Sequence, residues 1–293
     1  MVRATEDQFL GALLGLAIGD ALGRPLVGLD PTEIDKRFGK VDRYLPADDR
    51  DKDAPTGIIT DETEVTLCIV ESLTTNDGMI EPENINARLE FLLRGDSRRW
   101  MPESVIAGIQ RAEKTDGLVP VGSDDGVELS VAARGVPIGL LHSLGAQDDE
   151  TMLAEAGVIS RFSHGGETQQ WLTFAVARSV CAAATGQSDP LEPVRSRLGD
   201  SDAVRQFFRV VEESFASMAF EDGVIAVVNR GGPSDSTGAL AGAISGARFG
   251  ASGIPQILID QLDARIYLSL AAPWFYRTAL RRAGTVIDLR EVR

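Results

Sequence analysis

The side chains best suited to chemistry in this sequence are acids and hydroxyls at two expected helix starts. Thr60, Asp61 and Glu62 precede one apolar-periodic stretch, and Asp235 and Ser236 precede another. Helix N-termini carry unpaired amides and partial positive charge, which hold carboxylates in place and favour anions. If the two starts converge, they present hard oxygen donors suited to Mg or Mn, whereas zinc would draw on His and Cys. A plainer reading stands beside this one, because threonine and acids at a helix start are ordinary capping residues. Gly231 to Ser236 likewise reads as a turn and a cap, the more so with Pro233 in it. His164 is open between a satisfied core or loop histidine and a pocket role.

The elements that must position these residues are helices. Apolar residues recur three and four apart almost throughout, with very few alternating runs, so the fold expected is all-α, an orthogonal multi-helix bundle forming one domain over residues 1–293. Thr5 and Gln8 form a capping-box pair ahead of a first helix ending near Asp20, and Thr60 or Asp61 can cap a second. A third spans about Pro82 to Arg94 and stops at Gly95. Further helical patterns cover Glu103 to Glu113, Leu129 to Ser143, Thr151 to Phe162, Trp171 to Ala184, Ala203 to Met218, Ser236 to Phe249 and Leu262 to Ala279. Gly238, Gly242 and Gly246, four apart, suit close helix packing better than ligand contact. Gly23 to Ile59, rich in Asp, Pro and Gly, lacks periodicity and reads as one long loop.

Composition narrows the partners. With 44 acidic against 29 basic residues the formal net charge is -15, which opposes non-specific binding to nucleic acid or anionic membrane. No stretch reads as a signal peptide or as long enough to span a bilayer. Cys68 and Cys181 lie in apolar helical patterns and read as buried free thiols, which fits a reducing cytoplasm. The expectation is a cytoplasmic protein with no nucleic-acid or membrane partner.

Five ordered blocks make the sequence more specific. Gly11 to Pro25 reads GALLGLAIGDALGRP, Gly57 to Glu64 reads GIITDETE, and Asn229 to Gly250 reads NRGGPSDSTGALAGAISGARFG. Arg134 with Pro137 to Leu140, and Ser163 with His164, fall between them, and Gly253 to Pro255 follows. In this order they resemble the motifs of ADP-ribosylglycohydrolases, including the dinitrogenase-reductase-activating enzymes, over almost the whole chain. The resemblance implies metal contacts from Thr60, Asp61, Glu62, Asp235 and Ser236. It implies substrate contacts from Asp20, Gly23, Ser130, His164, Gly231 and Gly232. In that family two ions orient the ribose and a water, which displaces the group on the anomeric carbon.

Several positions depart from the family pattern. The glutamate expected in the first loop is Val27, which can neither accept a proton nor hold a water. The first Asp of the second acidic motif is Pro233, and the Gly-Asn-Gly before the arginine is Glu128, Leu129 and Ser130. Asp61 followed by Glu62, in place of Asp-Asp, keeps the carboxylate one methylene further out. One Mg or Mn ion or none, rather than two, is therefore expected, with Asp20, Asp30 or Glu167 as substitute carboxylates. Asp61, Glu62 and Asp235 are the catalytic candidates. The functions in competition are an altered hydrolase of a glycosidic bond in ADP-ribose-type substrates, small molecules or modified proteins, and an inactive family member that binds ADP-ribose or a nucleotide. A purely structural role is the third, since the fold also resembles some lens crystallins.

Overall fold

A glycine seam between two helices sets the framework. Gly11, Gly15, Gly19 and Gly23 on the first helix meet Gly246, Gly242, Gly238 and Ser234 on another in antiparallel register. A Cβ added at Gly19 would lie 1.8 Å from the Gly238 carbonyl oxygen, and one added at Gly242 1.8 Å from that of Gly15. Only hydrogen at these positions lets the two backbones approach so closely.

The computed structural model describes residues 2–46, 54–112, 122, 126–145, 148–188, 190–192 and 194–285. They form α1 (Glu6–Gly23), α2 (Pro31–Phe38), α3 (Asp61–Thr75), α4 (Pro82–Leu92), α5 (Glu103–Ala112), α6 (Leu129–Ala132) and α7 (Gly135–His142). The order continues with α8 (Asp149–Ser160), α9 (Glu167–Thr185), α10 (Asp202–Ala216), α11 (Phe220–Val228), α12 (Ser234–Phe249), α13 (Gln256–Asp260) and α14 (Arg265–Arg282). No strand occurs among the described residues; Pro46 and Thr56 make an isolated bridge. The fold is an all-helical bundle. Buried apolar side chains from Ala4 to Ala279 form one cluster around α1 and α12. A second glycine contact sets α7 on α9, where a Cβ at Gly135 or Gly139 would lie 2.2 Å from the carbonyl oxygen of Thr173 or Ala177.

Sequence reading and structure differ in five places. The capping box of Thr5 and Gln8 forms, but α1 runs on to Gly23 rather than ending near Asp20. The Gly23 to Ile59 stretch is not one loop, because Asp30 caps α2 with a full capping box to Glu33 and Pro31 sits in its first turn. The Leu129 to Ser143 pattern breaks into α6 and α7 around Arg134, and α11 fills a segment read as connection. Finally, Glu6–Leu26 is long and apolar enough to cross a membrane, contrary to the expectation that no stretch is, yet 83% of its apolar window is buried in the protein. Its apolarity on every face matches a helix packed on all sides.

Candidate functional site

The seam of α1 and α12 ends at the expected acids. Gly23 abuts Ser234, whose Oγ donates to the Gly23 carbonyl at 2.8 Å, so the end of α1 and the start of α12 are fastened together. The start of α3 is fastened to the same place by Asp20. That side chain is fully buried, and Oδ2 accepts from Thr60 N at 2.8 Å and from Thr63 Oγ1 at 2.6 Å. Thr60 therefore makes no side-chain cap of its own, and its Oγ1 lies 2.8 Å from Asp20 Oδ1 and also in contact with Glu62 Oε2. Thr60 Oγ1, a single donor, thus bridges a carboxylate oxygen of Asp20 and one of Glu62. Glu62 Oε1 accepts from Ser236 Oγ at 2.7 Å, which ties α3 directly to α12.

The electrostatics follow from burial. Asp61 and Glu62 are 3% and 4% exposed and Asp235 is half-buried. Burial raises the carboxyl of Asp20 well above its usual range, and Glu62 raises it further. Burial, then Glu62, Asp20 and Asp235, pushes Asp61 up to about 9. Burial and Glu62 push Asp235 up to about 7, against a lowering by Arg24. Arg134 is a second cation near the acids, fully buried and lowered to about 10 by burial, with Asp61 opposing the shift. Its Nε and Nη1 have no hydrogen-bond partner.

The expected site residues divide into two groups. Thr60, Asp61, Glu62, Asp235 and Ser236 are brought together. Asp20 joins them as the anchor of Thr60 and Thr63, with its oxygens already engaged. Gly23 and Gly231 face backbone: a Cβ on Gly231 would lie 1.9 Å from the Leu29 carbonyl oxygen. Gly232, at φ 67°, is exposed and has open space where a Cβ would stand. Ser130 on α6 is buried with its Oγ unpartnered, and His164 is buried with Nδ1 3.1 Å from Ser163 Oγ. Of the substitute carboxylates, Asp30 spends its side chain capping α2, and Glu167 accepts from Trp171 Nε1 at 3.3 Å. Cavities of 410 Å³ between α2 and α11 and 550 Å³ between α3, α4 and α14 contain none of these acids, so the chemistry rather than cavity size locates the site.

The two non-acidic positions lie beside this junction. Gly28 N donates to the Gly232 carbonyl at 2.8 Å and Gly232 N to the Leu29 carbonyl at 2.9 Å. Val27 and Pro233 flank that reciprocal pair. Val27 is 39% exposed, and Pro233 precedes α12 without a side-chain cap. Sequence reading missed the Glu62–Ser236 bond and Arg24's place beside Asp235, since contacts between distant segments leave no local pattern.

The chain belongs to the ADP-ribosylglycohydrolase family, whose model matches residues 1–285. Among individual relatives, an uncharacterized protein of Archaeoglobus fulgidus is 30% identical, with 94% of this chain and 98% of that one covered. The ADP-ribosyl-[dinitrogen reductase] glycohydrolase of Rhodospirillum rubrum is 29% identical over 90% of this chain and 92% of its own length. A solved structure described as an ADP-ribosylglycohydrolase-related protein complex superposes with a TM-score of 0.77 at 24% identity, covering 94% of this chain and 98% of that one, and supports the fold.

Proposed function

We propose that this chain hydrolyses a glycosidic bond in ADP-ribose-type substrates, small molecules or ADP-ribosylated proteins, through a metal site altered from the family pattern. The observation that carries the reading is the junction of the α3 and α12 starts, fastened by the Ser236–Glu62 bond and anchored by Asp20. Family membership supplies the reaction class, and the Rhodospirillum rubrum relative is named for such an activity.

The donor set suits one hard cation better than two. Carboxylates that raise one another's affinity for protons are a place where added positive charge is stabilised. Among the described residues no three His, Cys, Asp or Glu side chains are gathered as a ligand set. Asp61 and Asp235 with the hydroxyls of Thr60 and Ser236 would therefore hold a single Mg or Mn, water completing the shell. Such an ion supplies Lewis acidity and a more acidic bound water. The protein's own groups do the positioning: Asp20 fixes Thr60, Glu62 locks the two starts together, and the helix N-termini favour anionic groups. With Val27 unable to accept a proton, Asp61, Glu62 and Asp235 are the carboxylates left to orient water.

A second reading, binding without turnover, is favoured by Val27 and Pro233, which flank the Gly28–Gly232 pair without an acid. Release of ADP-ribose from an ADP-ribosylated arginine or serine peptide, with and without Mg, separates the two. Slow Mg-dependent release supports the altered hydrolase; calorimetric ADP-ribose binding without release supports the binder. Neither binding nor release would overturn both, and Mg-dependent turnover at ordinary enzyme rates, about 1–10³ per second, would contradict the altered site.

A further inference from the structure

Beside the acidic junction lies a feature of opposite sign. The turn Arg24–Leu26, which leaves α1, meets the Asp96–Arg99 turn ahead of α5 at the ring of Trp100. Arg24 Cζ is 4.1 Å and Arg99 Cζ 4.4 Å from the ring centroid, both within cation–π range. Neither guanidinium has a hydrogen-bond or ion-pair partner among the described residues, and Arg24 Nε is buried without one. That is unusual in a chain with 44 acidic against 29 basic residues, where a carboxylate is available to most cations. Two like charges held on one ring, and without a direct ion pair, form a place that an anion would stabilise.

Location gives the feature its meaning. Arg24 follows Gly23, where a Cβ would lie 2.7 Å from Asp235 N, and its charge is felt at Asp235. The acids themselves repel a phosphate, so a ligand with an uncharged sugar and a charged phosphate needs a cationic ledge next to them. Each guanidinium keeps N–H groups to which phosphate oxygens would supply acceptors.

We propose that Arg24 and Arg99, held on Trp100, grip the phosphate or diphosphate of the ligand whose sugar lies at Asp61 and Asp235. The assignment of the sugar rests on the function proposed above; the anion site rests on the arginines and the ring. Arg24 and Arg99 would then set specificity for phosphorylated over unphosphorylated sugars.

The test is a fluorescence titration with inorganic phosphate, pyrophosphate and ADP-ribose, repeated on Trp100→Phe, Arg24→Ala, Arg99→Ala and Arg24→Lys. The chain has three tryptophans, so Trp100→Phe isolates the signal of this ring. Saturable quenching by pyrophosphate and ADP-ribose, absent in Trp100→Phe, is expected. Each alanine variant should weaken binding about tenfold, as loss of a charge-assisted bond does, and Arg24→Lys should not restore it because the planar fork is gone. Thermal unfolding of each variant checks that it is folded, and a variant that fails is replaced by Arg→Gln at the same position. Pyrophosphate binding without ADP-ribose binding would leave the anion site standing and overturn the proposed function. ADP-ribose binding that is equal in wild type and in both alanine variants would overturn the anion site and leave that function standing. Binding of neither would overturn both.

Discussion

The seam of α1 with α12 and the acidic junction at its end are contiguous, yet they are built on opposite terms. Along the seam, backbone packs on backbone with space for hydrogen alone. At the junction, Asp20, Asp61, Glu62 and Asp235 are gathered together, and burial and mutual repulsion raise the carboxyls of Asp20, Asp61 and Asp235. The contrast teaches that a cluster unfavourable in itself can be held in place when the elements carrying it are fixed elsewhere. Gly23 and Ser234 mark the point where the packed seam hands over to the site.

The comparison breaks first if the seam tolerates a side chain. Alanine normally favours a helix interior over glycine by about 1 kcal/mol. At Gly242 the sign should reverse, because the added Cβ would lie 1.8 Å from the Gly15 carbonyl oxygen. Gly242→Ala is expected to destabilise by more than about 3 kcal/mol in denaturant unfolding, beyond ordinary overpacking. A neutral result would mean that the helices are further apart than described.

The next effect concerns pH. A carboxyl whose folded pKa is raised binds more protons folded than unfolded, so its stabilising contribution is full below the unfolded value of 3.8 and is lost as pH rises through the folded one. For Asp235 that loss extends to about pH 7 and for Asp61 to about pH 9. Without divalent cations the melting temperature should therefore fall between pH 5 and 9 by several degrees, about the shift that 1 kcal/mol or more produces. Saturating Mg should flatten the slope, and a melting temperature that rises over this range would show that the acids are not mutually buried.

The smallest effect sharpens the picture at the rim. Pro233→Asp places a capping side chain ahead of α12, worth about 1 kcal/mol without any metal. Combined with Val27→Glu it should also raise Mg affinity by more than the sum of the two single changes, since the two positions flank the Gly28–Gly232 pair. Additive or absent gains in calorimetric affinity would mean that the two side chains do not reach a common ion.

Much of the architecture was legible because it is local. The Thr5–Gln8 box and the glycines four apart on α12 each state their role within a few residues, whereas α4 ends at Leu92 with Leu93 as its cap, short of the stop expected at Gly95. The same signal was present and passed over at Asp30–Pro31–Glu33, where the surrounding Asp, Pro and Gly suggested a loop instead of a capped helix. At the site the residue types were legible and their duties less so. Asp20, expected to touch substrate, accepts from Thr60 and Thr63 from inside the fold, a pairing across 40 and 43 residues that no spacing rule predicts. Gly23 and Gly231 likewise serve close packing, since a glycine needed by a neighbouring backbone looks in sequence like one needed by a ligand.

The most direct test of the central claim is calorimetric titration of Mg and Mn into the wild-type chain and Asp61→Asn at pH 8. One weak site in wild type, absent in Asp61→Asn, with that variant melting higher than wild type in the absence of metal because the fold no longer has to hold a buried acid protonated above its ordinary range, is the predicted result. Two tight sites in wild type, or a site that survives Asp61→Asn unchanged, would contradict it.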